Sequence, residues 1–208
     1  MALELGRRGA KVIVNYANSS ESAEEVVAAI KAAGSDAVSI KANVSDVDQI
    51  VSMFAQAKQV WGHLNIVCSN SGVVSFGHVK DVTPEEFDRV FNINTRGQFF
   101  VAREAYNNLE EGGRLIMMGS ITGQAKGVPK HAVYSGSKGT IETFVRCMAI
   151  DFGDKKITVN AVAPGGIKTD MYHAVCREYI PGGKTLDDDG VDEVCVSKMI
   201  NTYSGHRK

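Results

Sequence analysis

The sequence lacks several features, and each absence removes a class of function. Its 208 residues carry a formal net charge of -1, so nothing suggests the basic footprint of a nucleic-acid or anionic-membrane binder. Its four cysteines, Cys68, Cys147, Cys176 and Cys195, are scattered with no Cys-x-x-Cys spacing. They are neither a disulfide framework nor a zinc site, and read as free thiols in a reducing, cytoplasmic compartment. The five histidines show no metal-ligand spacing, so no metal is expected. No run approaches the ~20 apolar residues that a membrane span requires. No signal peptide is visible. The opening Met1-Ala2-Leu3-Glu4-Leu5-Gly6-Arg7-Arg8-Gly9 reads as the back half of a helix and its glycine stop. By length the chain is one domain, able to bury a sizeable core.

What is present is an alternation. Short β-rich runs at 11–15, 36–41, 65–69, 114–119 and 157–163 are separated by helical patterns at 20–33, 47–61, 83 to about 109 (broken near Gly97) and 132–152. Thr83-Pro84-Glu85-Glu86 supplies an N-cap, a proline in the first turn and acids at the positive helix end. Apolar strands alternating with helices imply an α/β fold, a parallel sheet with helices on both faces. Ligands of such sheets lie beyond the carboxyl ends of the strands. That rule gathers Asn70, Ser71 and Gly72, then Ser120, then the segment from Pro164 to Thr169 along one edge. After about residue 181 the pattern fails: the chain is turn-rich and polar, with a short helix expected at 191–200.

The chemistry is carried by Tyr134 and Lys138, one helical turn apart on a shared face, and by Ser120 at a strand end. A phenol titrates near ~10 in water, and a neighbouring ammonium lowers that value. A serine hydroxyl can hold a carbonyl oxygen beside the phenol. The trio suits proton transfer at an oxygen while a hydride moves at the attached carbon. Alone, a Tyr-x-x-x-Lys pair is weak evidence, since both residues are common on helices.

In order and spacing, Asn70-Ser71-Gly72, Asn92-Ile93-Asn94, Ser120, Tyr134-x-x-x-Lys138 and Pro164-Gly165-Gly166 resemble the motifs of short-chain dehydrogenase/reductases. The strings 69–88, 119–137 and 164–179 look closer still, like the fungal polyhydroxynaphthalene and versicolorin reductases of melanin and polyketide pathways. The resemblance implies a Rossmann-like doubly wound parallel sheet and NADPH-dependent reduction of a polycyclic phenolic ketone. It makes Tyr134 the proton donor, Ser120 the group orienting the substrate carbonyl, Lys138 the residue that lowers the phenol's pKa and holds the nicotinamide ribose, and Asn94 the anchor of a proton-relaying water.

It matches Tyr16, Ala17, Asn18 and Ser19 to the adenosine-phosphate contact. No acid there would repel a 2′-phosphate, which favours NADP over NAD; helix capping is the plainer use of the same residues. Asn43 and Val44 resemble the adenine contact, although the family often has Asp at the first position. Asn70, Ser71, Gly72, Pro164, Gly165, Ile167 and Thr169 complete the cofactor set with Tyr134 and Lys138. Met171, Tyr172, Cys176 and Tyr179, with Ser120, are matched to the substrate site; an amphipathic helix packing on the domain is the alternative. His131 is read as a surface residue, with a substrate contact as the other possibility.

Two departures qualify the resemblance. The family's first strand with its Gly-rich turn, which places the pyrophosphate at a helix N-terminus, has no counterpart. Nor has its last strand. The reading is therefore an incomplete domain over 1–181 and a divergent tail over 182–208. The missing strand would be central, so the strands flanking it must either pair with each other or leave a gap. Weak NADPH binding follows. Helices in this family form dimer and tetramer contacts, so a homo-oligomer is expected. A catalytically silent oligomer partner, or a reductase of a non-aromatic ketone, are the alternatives.

Overall fold

A computed structural model describes residues 1–125, 127–169, 172–180 and 182–195. In chain order the elements are α1 (Ala2–Arg7), β1 (Val12–Tyr16), α2 (Ser20–Ala32), β2 (Ala37–Lys41), α3 (Val47–Trp61), β3 (Leu64–Ser69), α4 (Pro84–Phe91), a π-helical turn (Asn92–Gly97), α5 (Gln98–Asn108), β4 (Leu109–Met118), α6 (Ile121–Gln124), α7 (Ala132–Asp151), β5 (Thr158–Val162) and α8 (Tyr172–Tyr179). Local signals explain the boundaries. The Asp46 carboxylate accepts from the amides of Asp48 and Gln49 at the start of α3, and left-handed Gly62 (φ 78) ends it. The Thr83 hydroxyl accepts from Glu86 N, and Pro84 opens α4.

Among the described residues all strand pairs are parallel, as the alternation predicts, but they form two sheets. One is β1–β2; the other is β3–β4–β5. β1 and β3 are edge strands that do not pair, so of the two expected outcomes the gap is the one adopted. A 140 Å³ cavity occupies it, lined by Ile13 and Asn15 of β1, Ile66 and Cys68 of β3, and Met53 and Phe54 of α3. Ile66 is consequently 46% exposed. Among the described residues no strand follows β5.

One core nevertheless joins the two sheets: Ile40 and Ala42 at the end of β2, Phe54 of α3, Ala102 of α5, Leu115 of β4, Ile141 of α7 and Val159 of β5 are all buried in it. Val27 and Ile30 of α2 and Ala37 of β2 add a smaller cluster, against which Ala2 of α1 packs.

Three elements differ from the sequence reading. β4 begins at Leu109, not residue 114, because Leu109 pairs with Leu64 before the register shifts to Ile66 opposite Arg114. The expected break near Gly97 is a π-helical turn. After residue 181 the described chain is turn-rich as expected, with a 3₁₀ stretch at Gly183–Thr185, but it is packed: Leu186 and Val191 lie against α8, and the helix expected from 191 already begins at 188. The expected helix at 191–200 lies partly outside the described residues, as does the tail from 196 onward.

At Gly97 the backbones of the π turn and of the β2–α3 loop meet so closely that a Cβ would sit 2.5 Å from the Val44 carbonyl oxygen. Replacing Gly97 with Ala forces rigid backbone apart and is expected to destabilise the fold by about 1–3 kcal/mol. A thermal melt checks this, and an unchanged Tm contradicts it.

Candidate active site

The site grows from the carboxyl end of β4. Ser120 leaves that strand as the N-cap of α6, is buried, and accepts from Thr122 N at 3.2 Å; its Oγ lies 3.0 Å from Thr122 Oγ1. Two residues earlier, the Met118 carbonyl accepts a 2.8 Å hydrogen bond from Lys138 Nζ. Lys138 comes from α7, is 4% exposed, and has its pKa lowered by burial to about 8. Tyr134, one turn earlier on α7, is half-buried beside the Ser120 hydroxyl.

The expectation that Lys138 lowers the phenol's pKa does not hold here. Burial raises the pKa of Tyr134, and the opposing influence is the Ser120 hydroxyl, not the ammonium, whose hydrogen bond goes to Met118. The phenol is therefore held protonated at neutral pH.

Gly72, in the loop after β3, passes between Lys138 and Asn94. A Cβ there would lie 3.1 Å from Lys138 Nζ and 3.3 Å from Asn94 Oδ1. Asn94 sits in the π turn, wholly buried. Its Oδ1 accepts from Val73 N at 2.8 Å, and its Nδ2 donates to the Val73 carbonyl at 2.8 Å and to Ser137 Oγ at 3.0 Å. Ser137 Oγ in turn donates to the Tyr134 carbonyl at 2.7 Å. Asn94 thus clamps the Gly72 loop onto the turn of α7 that carries the tyrosine. Its side chain is spent on these bonds, which leaves the water-anchoring role resting on the resemblance.

The expected cofactor residues lie where the strand-end rule puts them. Val44, Asn70 and Ser71 line the same cavity as β1 and β3. Tyr16 and Ala17 follow into Asn18 and Ser19, both exposed; Ser19 is the N-cap of α2 but its side chain makes no capping bond. Asn43 turns its Oδ1 onto the Ser45 amide and hydroxyl. Pro164 pins the loop after β5 by accepting from Ile121 N, Gly165 approaches Ile121, Ile167 is 57% exposed, and the Thr169 carbonyl accepts from Tyr172 N.

Of the substrate set, Tyr179 reaches the site: its hydroxyl is 2.8 Å from His131 Nε2, and the His131 ring is 4.5 Å from that of Tyr134. Tyr172 and Cys176 are instead buried with Ile180 and Val191 in a satellite core, so helix packing wins for both. Met171 lies outside the described residues. His131 is not at the surface, as the sequence reading had it, but 1% exposed, stacked on Phe76 at 4.7 Å. The available signal was its position one turn before Tyr134. Phe76 carried no signal.

A family described as Enoyl-(Acyl carrier protein) reductase matches residues 1–185. The trihydroxynaphthalene reductase of Pestalotiopsis fici is 88% identical over 193 residues, which are 93% of this chain and 68% of that protein. The tetrahydroxynaphthalene reductase of Pyricularia oryzae is 79% identical over 197 residues, 95% of this chain and 70% of the relative. A short-chain dehydrogenase of Burkholderia cenocepacia, solved in complex with NADP, superposes with a TM-score of 0.80 at 30% identity, covering 93% of this chain and 82% of its own.

Proposed function

The chain belongs to the short-chain dehydrogenase/reductase family, a family of oxidoreductases acting on ketone and hydroxyl groups, and from that premise we propose an NADPH-dependent ketoreductase of polycyclic phenolic, polyketide-type ketones with Tyr134 as proton donor. The carrying observation is the convergence of the Ser120 hydroxyl, the Tyr134 phenol and buried Lys138 at one strand end. The names of the relatives support the aromatic substrate class.

The residues present fit a dinucleotide at both of its ends. The bare backbone of Gly72 leaves room beside Lys138, and exposed Asn18 and Ser19 carry no negative charge against a 2′-phosphate. A bound NADPH supplies the hydride. The chain's own residues do the rest. Ser120 donates to the carbonyl oxygen, and Tyr134 gives that oxygen its proton as negative charge develops there. Lys138 holds the ribose hydroxyls, and Asn94 keeps the Gly72 loop in register with α7.

The test is an NADPH-oxidation assay at high cofactor concentration with a tetrahydroxynaphthalene-type phenol. Turnover is expected, faster with NADPH than with NADH; no turnover at any concentration rejects the reading. A second reading is favoured by exposed apolar side chains on three helices: Phe87 of α4 (44%), Phe99 of α5 (40%) and Ile150 of α7 (80%). It makes the chain a silent oligomer partner, found in mixed oligomers without turnover of its own.

A further inference from the structure

We infer that His131 is a positioning residue that fixes Tyr179 beside the catalytic phenol, making the end of α8 a rigid aromatic wall of the substrate site. The inference rests on the ketoreductase reading. His131 occupies the N-cap position of α7, yet its side chain makes no capping bond and is 1% exposed. The backbone places it deliberately. Lys130, immediately before it, adopts a left-handed conformation (φ 61) that a lysine rarely takes, and the Lys130 carbonyl is held by Gly77 N–H at 2.7 Å. A position kept against local preference needs a return elsewhere in the structure.

The return is a junction of three segments on one ring. Phe76, from the loop after β3, stacks on His131 at 4.7 Å and meets Tyr179 edge-on at 5.3 Å. Tyr134, from α7, lies 4.5 Å away on another side. Tyr179, from the end of α8, meets the imidazole edge-on at 5.2 Å, with its hydroxyl 2.8 Å from Nε2. Aromatic pairs at these distances and tilts are attractive beyond their buried area.

α8 has few other ties to the body of the protein. Among the described residues its remaining side-chain hydrogen bonds run to Leu186, Asp188, Asp192 and Cys195, in the segment that follows it. Among the described residues, Tyr179–His131 is the side-chain hydrogen bond that joins α8 to the catalytic helix. Burial disfavours the charged imidazole, partly offset by the Ser75 backbone, and in the neutral tautomer with its proton on Nδ1 the ring offers Nε2 as acceptor to the phenol. Tyr179 therefore presents a ring of set orientation to a flat substrate without spending its conformational freedom at binding.

The test compares steady-state kinetics of the full chain, His131→Phe, Tyr179→Phe and the double variant. His131→Phe keeps an aromatic ring and removes the acceptor; Tyr179→Phe removes the donor. Each single change is expected to raise KM for a polycyclic phenolic ketone by about 3- to 10-fold, the worth of one neutral hydrogen bond. The effect should fall on KM more than on kcat and be smaller for a small aliphatic ketone. The double variant should be no worse than either single one, and His131→Gln, which restores an acceptor, should recover part of the loss. Additive effects, or a kcat loss at constant KM, overturn the inference.

If the parent chain shows no turnover, the ketoreductase reading fails separately, and amide hydrogen exchange then decides. Faster exchange across 172–179 in His131→Phe, with α7 unchanged, supports the positioning role. Unchanged exchange in α8 refutes it.

Discussion

Tyr134→Phe is expected to reduce ketone turnover by about 10²–10⁴-fold, because the substitution deletes one oxygen and no other group can hand over its proton. The ring is kept, so packing against His131 survives. Ser120 cannot substitute: an aliphatic alcohol is a far weaker acid than a phenol, so its hydroxyl donates a hydrogen bond to the carbonyl oxygen without giving up the proton. Lys138 is turned to the Met118 carbonyl.

The pH profile gives the same claim a second readout. As pH rises, Lys138 meets its lowered pKa first, at about 8, and loses the positive charge that favours binding of an anionic cofactor. The phenol loses its proton later, because burial raises its pKa above the ordinary value. Apparent NADPH affinity should fall in the first step, and the reductive rate at saturating cofactor in the second. Ser120 is the group pulling the phenol's pKa down, so Ser120→Ala should push the second step to higher pH while weakening carbonyl binding. Retention of near-parental activity by Tyr134→Phe would mean that the proton comes from elsewhere.

The second large effect is structural. Asn94→Ala is expected to cost about 2–4 kcal/mol, because it strands the Val73 amide and carbonyl and removes a donor from Ser137 in a buried setting. Urea unfolding measures it as a lower midpoint. Activity should fall as well, since the loop that this amide holds carries Gly72 past Lys138. Asn94→Asp tests the mechanism. It keeps the acceptor for Val73 N but loses both donors and buries a charge, so it should not rescue. A stability loss under 1 kcal/mol, read against the usual worth of buried hydrogen bonds, would show that the clamp is filled by other groups.

Much of this architecture was legible without coordinates. The strands were found within a few residues because apolar runs bounded by glycine and polar turns carry that information locally. The α4 start was visible in Thr83-Pro84, whose capping bond reaches only three residues. The spacing of Tyr134 and Lys138 on one helix face needed only the period of the helix. Even the gap between β1 and β3 was one of two outcomes open to strands flanking an absent partner.

Where the reading failed, the deciding term was long-range. The spacing of His131 from Tyr134 puts both on one helix face, but Tyr179 is 48 residues away, and no local pattern says that its phenol will meet the histidine. Tyr172 and Cys176 share the helix of Tyr179 but point into a core completed by Val191, so one amphipathic helix carries both a packing face and a site residue. The direction of the Tyr134 shift was misjudged for the same reason. Charge proximity can be read from a four-residue spacing, whereas desolvation depends on how much of the rest of the chain closes over the ring.

The sequence by itself determined which segments become strands and helices and which residues can do acid–base chemistry, because those depend on neighbours within a turn or a strand. Only the tertiary structure decided which of those residues meet, which are buried and how each titrates, because contact and loss of water are properties of segments brought together from distant parts of the chain.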